Sequence, residues 1–233
     1  MGVVLGGELF REGLELLGDV LHALAVALDG GAQFFLHLRE LAHQVLVGVG
    51  LAHAHGGGEI SLAQARDAGA SYVIVGHAER RDMGETNDDT RKKVAAAFAL
   101  KMTPILCVGE RERTASGEHF NLVKEQLRAG CADVAPAQVG RVIVTYEPLW
   151  TIGGSKTMSP RDMHEMAIFI RKSVVDLKGE SGMSIKILYG GSVDETNAGV
   201  MLRRGDVHGL LVGRASEDAA KFSALLQAIE HVS

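Results

Sequence analysis

The feature of this sequence that most restricts its fold is a regular alternation of short apolar runs and amphipathic segments from residue 71 onward. Five such runs occur, and each is followed by a segment with helical periodicity or by a turn and a helix signal. The runs are almost continuously apolar, which is typical of strands buried on both faces of a parallel sheet. The alternation therefore predicts an α/β fold with helices packed on a parallel sheet.

The predicted elements add up to a barrel. Strands are predicted at residues 72–76, 104–108, 141–146, 185–189 and 207–212, and helices at 88–101, 117–129, 160–178, 194–203 and from 217 onward. Three weaker strand candidates lie upstream, at residues 3–5, 34–38 and 45–49. Together they make eight strands, and an eightfold alternation favours a closed (βα)₈ barrel, with irregular first units, over an open doubly wound sheet.

The amino-acid composition limits which binding partners and which cellular compartment we expect for this chain. The chain has 233 residues and is 46% hydrophobic, which is enough for one barrel. Its 24 basic and 29 acidic side chains give a net charge of −5, so nucleic acid is not an expected partner. No apolar stretch approaches the roughly 20 residues of a membrane span, and no export signal is recognisable. We therefore expect no membrane association and a cytoplasmic protein whose Cys107 and Cys131 are reduced.

The first quarter differs from the rest of the chain. Residues 1–60 contain five of the ten histidines but neither lysine nor proline. The glycine run at 56–58 could be a hinge between two domains, but about 55 residues would form only a marginal domain. We therefore predict one domain over residues 1–233 with an atypical segment at 1–57. His43, His53 and His55 show no complete ligand set, so no metal site is predicted.

The informative polar residues are those just past each predicted strand, because barrel enzymes carry their chemistry at the carboxyl ends of the strands. These residues are His77 and Glu79, Gly109 and Glu110, Glu147, the turn from Gly190 through Gly191 to Ser192, and Gly213. The glycine turns each precede a helix, where backbone N–H groups can hold an anion such as a phosphate. That arrangement suggests a small phosphorylated substrate, although the glycines could equally serve only to make tight turns.

Glu147 and His77 are the candidates for proton chemistry. Glu147 is followed by a loop that carries Trp150, and desolvation by such a loop would raise the basicity of the carboxylate. His77 could then polarise a substrate carbonyl. Considered singly, each residue also has a plain explanation, as a surface carboxylate paired with a lysine and as a histidine in a turn.

Five ordered motifs strongly resemble the triosephosphate isomerase family over roughly residues 58–233. They are GHAERR at 76–81, CVGE at 107–110, YEPLW at 146–150, YGGSV at 189–193 and LVGRAS at 211–216. The resemblance implies a TIM barrel that interconverts dihydroxyacetone phosphate and D-glyceraldehyde 3-phosphate through an enediolate. It also implies a homodimer that works without a metal or an organic cofactor.

Site residues follow from the same motifs. Glu147 matches the family's catalytic base and His77 its electrophile, while Tyr189 resembles the residue that bonds the closed lid. The matches to phosphate-binding positions are Gly153 in the lid, Ser192, Gly213 and Arg214, with Glu79, Gly190 and Gly191 in supporting positions.

Several positions depart from the family's pattern. Its first strand ends in Asn-Trp-Lys, but here the first lysine is Lys92, so the family's catalytic cation has no counterpart upstream. The loop near residues 53–57, which in the family reaches into the neighbouring subunit, is shortened, and this weakens the expectation of a firm dimer. Ala78, Gly154 and Ser155 also differ from the usual residues. A catalytically silent barrel that binds a phosphorylated ligand or a protein is the alternative interpretation.

Overall fold

The computed structural model describes residues 47–48, 61–67, 69–152 and 157–230. Six strands form one parallel sheet in which each strand pairs with the next along the chain. They are β1 (Val47–Gly48), β2 (Tyr72–Val75), β3 (Thr103–Val108), β4 (Ile143–Tyr146), β5 (Lys186–Tyr189) and β6 (Gly209–Leu210). This unbroken order is the winding of an α/β barrel, since a doubly wound sheet reverses its order at a switch point.

Helices follow the strands. The described part contains α1 (Leu62–Asp67), α2 (Ala78–Asp82), α3 (Asn87–Ala99), α4 (Glu118–Gly130), α5 (Pro160–Lys178), α6 (Ala198–Arg204) and α7 (Ala219–Glu230). Short 3₁₀ helices lie at Pro136–Arg141, Leu149–Thr151, Gly179–Ser184 and Arg214–Glu217. None of the helices in these ranges is long and apolar enough to cross a membrane.

The predicted α/β barrel class is confirmed, with small changes at element ends. β1 lies within the predicted strand at 45–49, whereas the candidates at 3–5 and 34–38 fall outside the described residues. α6 begins at Ala198 and not at the predicted residue 194, because the Asp194 carboxylate accepts the N–H groups of Thr196 and Asn197 in a turn. α1 and α2 were not predicted, since five or six residues are too few to show a helical period.

Both faces of the sheet are covered, which explains the continuous apolar runs. On β3, Leu106 and Val108 belong to the main core, together with residues of α4 and α5. Ile105 and Cys107 point to the other face and pack in a smaller cluster with Ile74 of β2. Neighbouring residues of one strand are thus buried on opposite sides, so no polar alternation can appear in the sequence. Cys107 and Cys131 are both buried free thiols.

Candidate active site

The candidate residues lie along one edge of the sheet. His77, Gly109, Glu147, Gly190 and Gly213 follow the carboxyl ends of β2 to β6, each one to three residues past its strand. Because these strands are parallel and consecutive neighbours, their ends meet at the same edge. The structure therefore brings residues that are up to 136 positions apart in the sequence, from His77 to Gly213, to one edge of the sheet.

Glu147 is a buried carboxylate. Its residue surface is 3% exposed, and its Oε1 lies 3.2 Å from Nε2 of His77. Its Oε2 accepts the backbone N–H of Ala78 at 3.3 Å. Burial raises the pKa of Glu147 to about 7, against the opposing effects of the Ala78 N–H and the Cys107 side chain. A carboxylate with this pKa can both take up and release a proton near neutral pH.

His77 is held as a neutral hydrogen-bond donor. It caps the N-terminus of α2, where its Nδ1 accepts the backbone N–H of Glu79 at 3.4 Å. A ring that accepts at Nδ1 carries its single neutral-state proton on Nε2, which is the nitrogen that faces Glu147. Burial lowers the pKa of His77, with the negative charge of Glu79 opposing the shift. The imidazole can therefore donate a hydrogen bond from Nε2–H to an oxygen in the site.

Two glycines allow the strand ends to approach the base. A Cβ at Gly190 would lie 2.5 Å from Cγ2 of Thr145 and 3.1 Å from Cγ of Glu147. A Cβ at Gly109 would overlap the backbone carbonyl of Glu147. Gln126 of α4 holds Gly109 by accepting its N–H at 2.8 Å and donating to its carbonyl at 3.1 Å. The lack of a side chain at these two glycines therefore lets the ends of β3 and β5 pack closely against Glu147 from both sides.

A buried charged cluster holds the residue that precedes His77. Arg81 Nε donates to the Gly76 carbonyl at 2.7 Å, and Glu85 Oε1 accepts the Gly76 N–H at 2.9 Å. Glu85 also forms an ion pair with the buried Lys93. Gly76 has a φ of +74°, which favours glycine. Arg81 lies inside a recognised motif, but Glu85 and Lys93 could not be assigned from sequence, because only folding brings Glu85 to the Gly76 N–H and Lys93 to Glu85.

A second buried carboxylate anchors the loop after Glu147. Glu110 is 1% exposed and accepts the Tyr146 hydroxyl at 2.7 Å and the Trp150 Nε1–H at 3.0 Å. Arg113 donates to the Tyr146 hydroxyl at 3.0 Å and lies over the Trp150 ring at 5.6 Å. The apolar loop expected over the base is thus tied at its start by hydrogen bonds as well as by packing.

The turn after β5 is tied to the same loop. The Ser192 N–H donates to the Thr151 hydroxyl at 3.2 Å, and Asn197 Nδ2 donates to the Ser192 carbonyl at 2.9 Å. A Cβ at Gly191 would overlap the Tyr189 hydroxyl, so the glycine leaves room for that ring. Burial raises the pKa of Tyr189 to about 12. The side chain of Thr151 opposes this shift, and the predicted contact of Tyr189 with the lid stays a prediction.

The remaining predicted phosphate residues, where the structure describes them, share no hydrogen bond with this network. Gly213 heads the 3₁₀ turn that begins at the exposed Arg214, and its carbonyl accepts the N–H of Ser216 at 2.9 Å. Open space surrounds the position of a Gly213 Cβ. Gly153 lies outside the described residues, as do His43, His53 and His55. No group of three or more His, Cys, Asp or Glu side chains in the described part is arranged to hold a metal ion.

The fold and these residues define an α/β barrel with a buried carboxylate and a neutral imidazole at the carboxyl ends of its strands. The family model of triosephosphate isomerase matches residues 48–229. The chain is 44% identical over 173 residues to the triosephosphate isomerase of Endomicrobium trichonymphae, covering 73% of this chain and 69% of the relative. It is 42% identical over 172 residues to that of Moorella thermoacetica, covering 72% and 69%. The chain belongs to the triosephosphate isomerase family, and the resemblance read from its five motifs is confirmed.

Proposed function

We propose that this chain interconverts dihydroxyacetone phosphate and D-glyceraldehyde 3-phosphate by intramolecular proton transfer. The observation that carries the proposal is the pair formed by Glu147, buried with a pKa of about 7, and the Nε2 of His77 at 3.2 Å. The curated relatives are themselves named triosephosphate isomerase. The names of these relatives support a triose phosphate as the substrate, and the Glu147–His77 pair supports proton transfer as the reaction.

Each side chain has a defined part in the proposed reaction. The Glu147 carboxylate removes a proton from the carbon beside the substrate carbonyl, and the electron pair moves to the carbonyl oxygen to give an enediolate. His77 Nε2–H donates to that oxygen as negative charge develops on it. The protonated Glu147 then returns the proton to the neighbouring carbon, so the base is regenerated and no redox partner is consumed.

The phosphate of the substrate is assigned to the glycine turns. Backbone N–H groups at Ser192, Gly213 and Arg214 are the proposed donors, with Gly153 as a fourth, and Glu79, Gly190, Gly191 and Tyr189 support the site. Such donors bind a dianion without a metal or organic cofactor. We further infer one domain over residues 1–233, a cytoplasmic homodimer weakened by the shortened loop, and no nucleic-acid partner.

The missing first-strand lysine favours a slow enzyme. No lysine precedes Lys92 in this sequence, and loss of one preorganised electrostatic partner commonly costs about 10²–10³ in rate. In a coupled assay from dihydroxyacetone phosphate, the purified 233-residue chain should therefore turn over about 10²–10³ times more slowly than the relative from Endomicrobium trichonymphae.

A chain with an Asn-Trp-Lys first strand introduced upstream is the matched comparison, and it should recover part of the rate. No turnover in either chain would support the alternative, a silent barrel. Turnover equal to that of the relative would show that the lysine is dispensable in this protein.

The pH dependence of kcat/KM should follow the ionisation of the Glu147 carboxyl group in the free enzyme. Its pKa of about 7 lies above the ordinary value, and only the deprotonated carboxylate can act as a base. Below that pKa, kcat/KM should fall about tenfold for each pH unit, and above it the profile should level off. Initial rates in buffers of constant ionic strength measure this profile. A flat profile from about pH 5 to pH 8 would contradict the assignment of Glu147 as the base.

Gly213→Asp should weaken binding of an inert phosphorylated analogue such as glycerol phosphate by at least about tenfold, since it places negative charge beside the proposed phosphate site. Nothing lies within 4 Å of the Cβ position, so there is room for the side chain. Gly213→Asn has nearly the same shape without the charge, and it should bind more tightly than the aspartate variant. Equal affinity of Gly213→Asp and the unchanged chain in calorimetry would place the phosphate elsewhere.

A further inference from the structure

One hydroxyl joins the loop after Glu147 to the turn that carries Ser192. Thr151 is fully buried, and its Oγ1 donates to the Pro148 carbonyl at 2.8 Å. The same oxygen accepts the Ser192 backbone N–H at 3.2 Å. The hydroxyl proton therefore goes to Pro148, and the oxygen faces the N–H of the neighbouring turn, with the side chain of Tyr189 beside it.

This arrangement conflicts with the phosphate site of the proposed function. The Ser192 N–H is one of the donors assigned to the substrate phosphate, and a single N–H makes only one hydrogen bond of full strength. As long as Thr151 Oγ1 accepts that N–H, a phosphate oxygen must either displace it or share a weaker bond. The Thr151 hydroxyl cannot compensate by donating to the phosphate unless it gives up Pro148.

We propose that Thr151 is an affinity-determining residue whose hydroxyl competes with the substrate phosphate for the Ser192 N–H. The inference rests on the proposed function, because it requires a phosphate at this turn. The competition affects binding of the phosphate dianion and not proton transfer. Removing the hydroxyl should therefore change KM more than kcat.

The local hydrogen bonds make a clean test possible. The Pro148 carbonyl also accepts the backbone N–H of Thr151 at 2.9 Å, so it keeps a partner when the hydroxyl is removed. Valine has nearly the shape of threonine and removes the acceptor of the Ser192 N–H, together with the interaction of the Thr151 hydroxyl with the side chain of Tyr189. Ser192 is partly exposed, so that N–H can be taken by water or by a phosphate oxygen.

The experiment compares Thr151→Val with Thr151→Ser, which keeps the hydroxyl, in the full chain. Binding of inorganic phosphate and of glycerol phosphate is measured by calorimetry, and the backbone amide of Ser192 is followed by NMR. Thr151→Val should bind both probes about tenfold more tightly, equivalent to one hydrogen bond of ordinary strength, with a larger phosphate-induced shift at Ser192. Thr151→Ser should match the unchanged chain. Thr151→Ala serves the same purpose if the valine variant does not fold.

The outcomes separate this inference from the proposed function. If the unchanged chain binds phosphate and Gly213→Asp abolishes that binding, the phosphate site stands. Equal or weaker affinity in Thr151→Val then overturns the competition and leaves Thr151 as a structural link alone. If no chain binds either probe, the phosphate site of the proposed function fails, and this inference fails with it.

Discussion

Replacing Glu147 by glutamine should lower kcat by about 10²–10⁴, the range associated with loss of a positioned general base. The amide fills the same space beside Gly190 and keeps an oxygen that can accept the Ala78 N–H, but it cannot abstract a proton. Binding of an inert phosphorylated analogue should change little, since the loss concerns the transition state. Initial rates in the coupled assay and calorimetry with glycerol phosphate measure the two effects separately.

Two further substitutions test whether the loss of activity is specific to the Glu147 carboxylate. Glu147→Asp retracts the carboxylate by one methylene and should also lower turnover sharply, with little effect on phosphate affinity. Glu165→Gln removes an equivalent charge from the exposed surface of α5 and should leave turnover unchanged. Activity of Glu147→Gln equal to that of the Glu165 control would mean that another group is the base.

Gly109→Ala should destabilise the protein by roughly 3 kcal/mol, at the upper end of the cost of overpacking and a large value for one methyl group. The added Cβ would overlap the Glu147 carbonyl, and the obstacle is backbone that cannot rotate away. The backbone is also held on both sides, because Glu147 N–H donates to the Val108 carbonyl at 2.8 Å and Gln126 holds both polar groups of Gly109. The strand ends would have to separate, and Glu147 would move with them.

Thermal unfolding measures this effect, which should lower Tm by at least about 6 °C in a chain of this size. Gly213→Ala is the control for the added methyl group, because nothing lies within 4 Å of its Cβ position. If the two variants unfold at the same temperature, β3 and β4 do not approach each other at Gly109 as closely as the structure describes.

Local sequence patterns were sufficient to predict the architecture and to single out Glu147 and His77 as the candidates for proton chemistry. The apolar run at 104–108 predicts a buried parallel strand because neighbouring residues such as Leu106 and Cys107 enter the core on opposite faces. Glu147 and His77 could be singled out because each lies within two residues of the end of a strand, where barrels place their chemistry. These signals are short-range, so they survive in a single sequence.

The charge states and close approaches were decided by the tertiary structure alone. Burial raises the pKa of Glu147 to about 7, and burial arises when the ends of neighbouring strands close around the carboxylate. No pattern in the sequence pairs Gln126 with Gly109 or Thr151 with Ser192, since the second contact joins residues 41 positions apart. Such contacts form only when neighbouring strand ends are packed to within a few tenths of an ångström of the right separation. The sequence determines which residues are present, but the packing of the whole fold determines those separations.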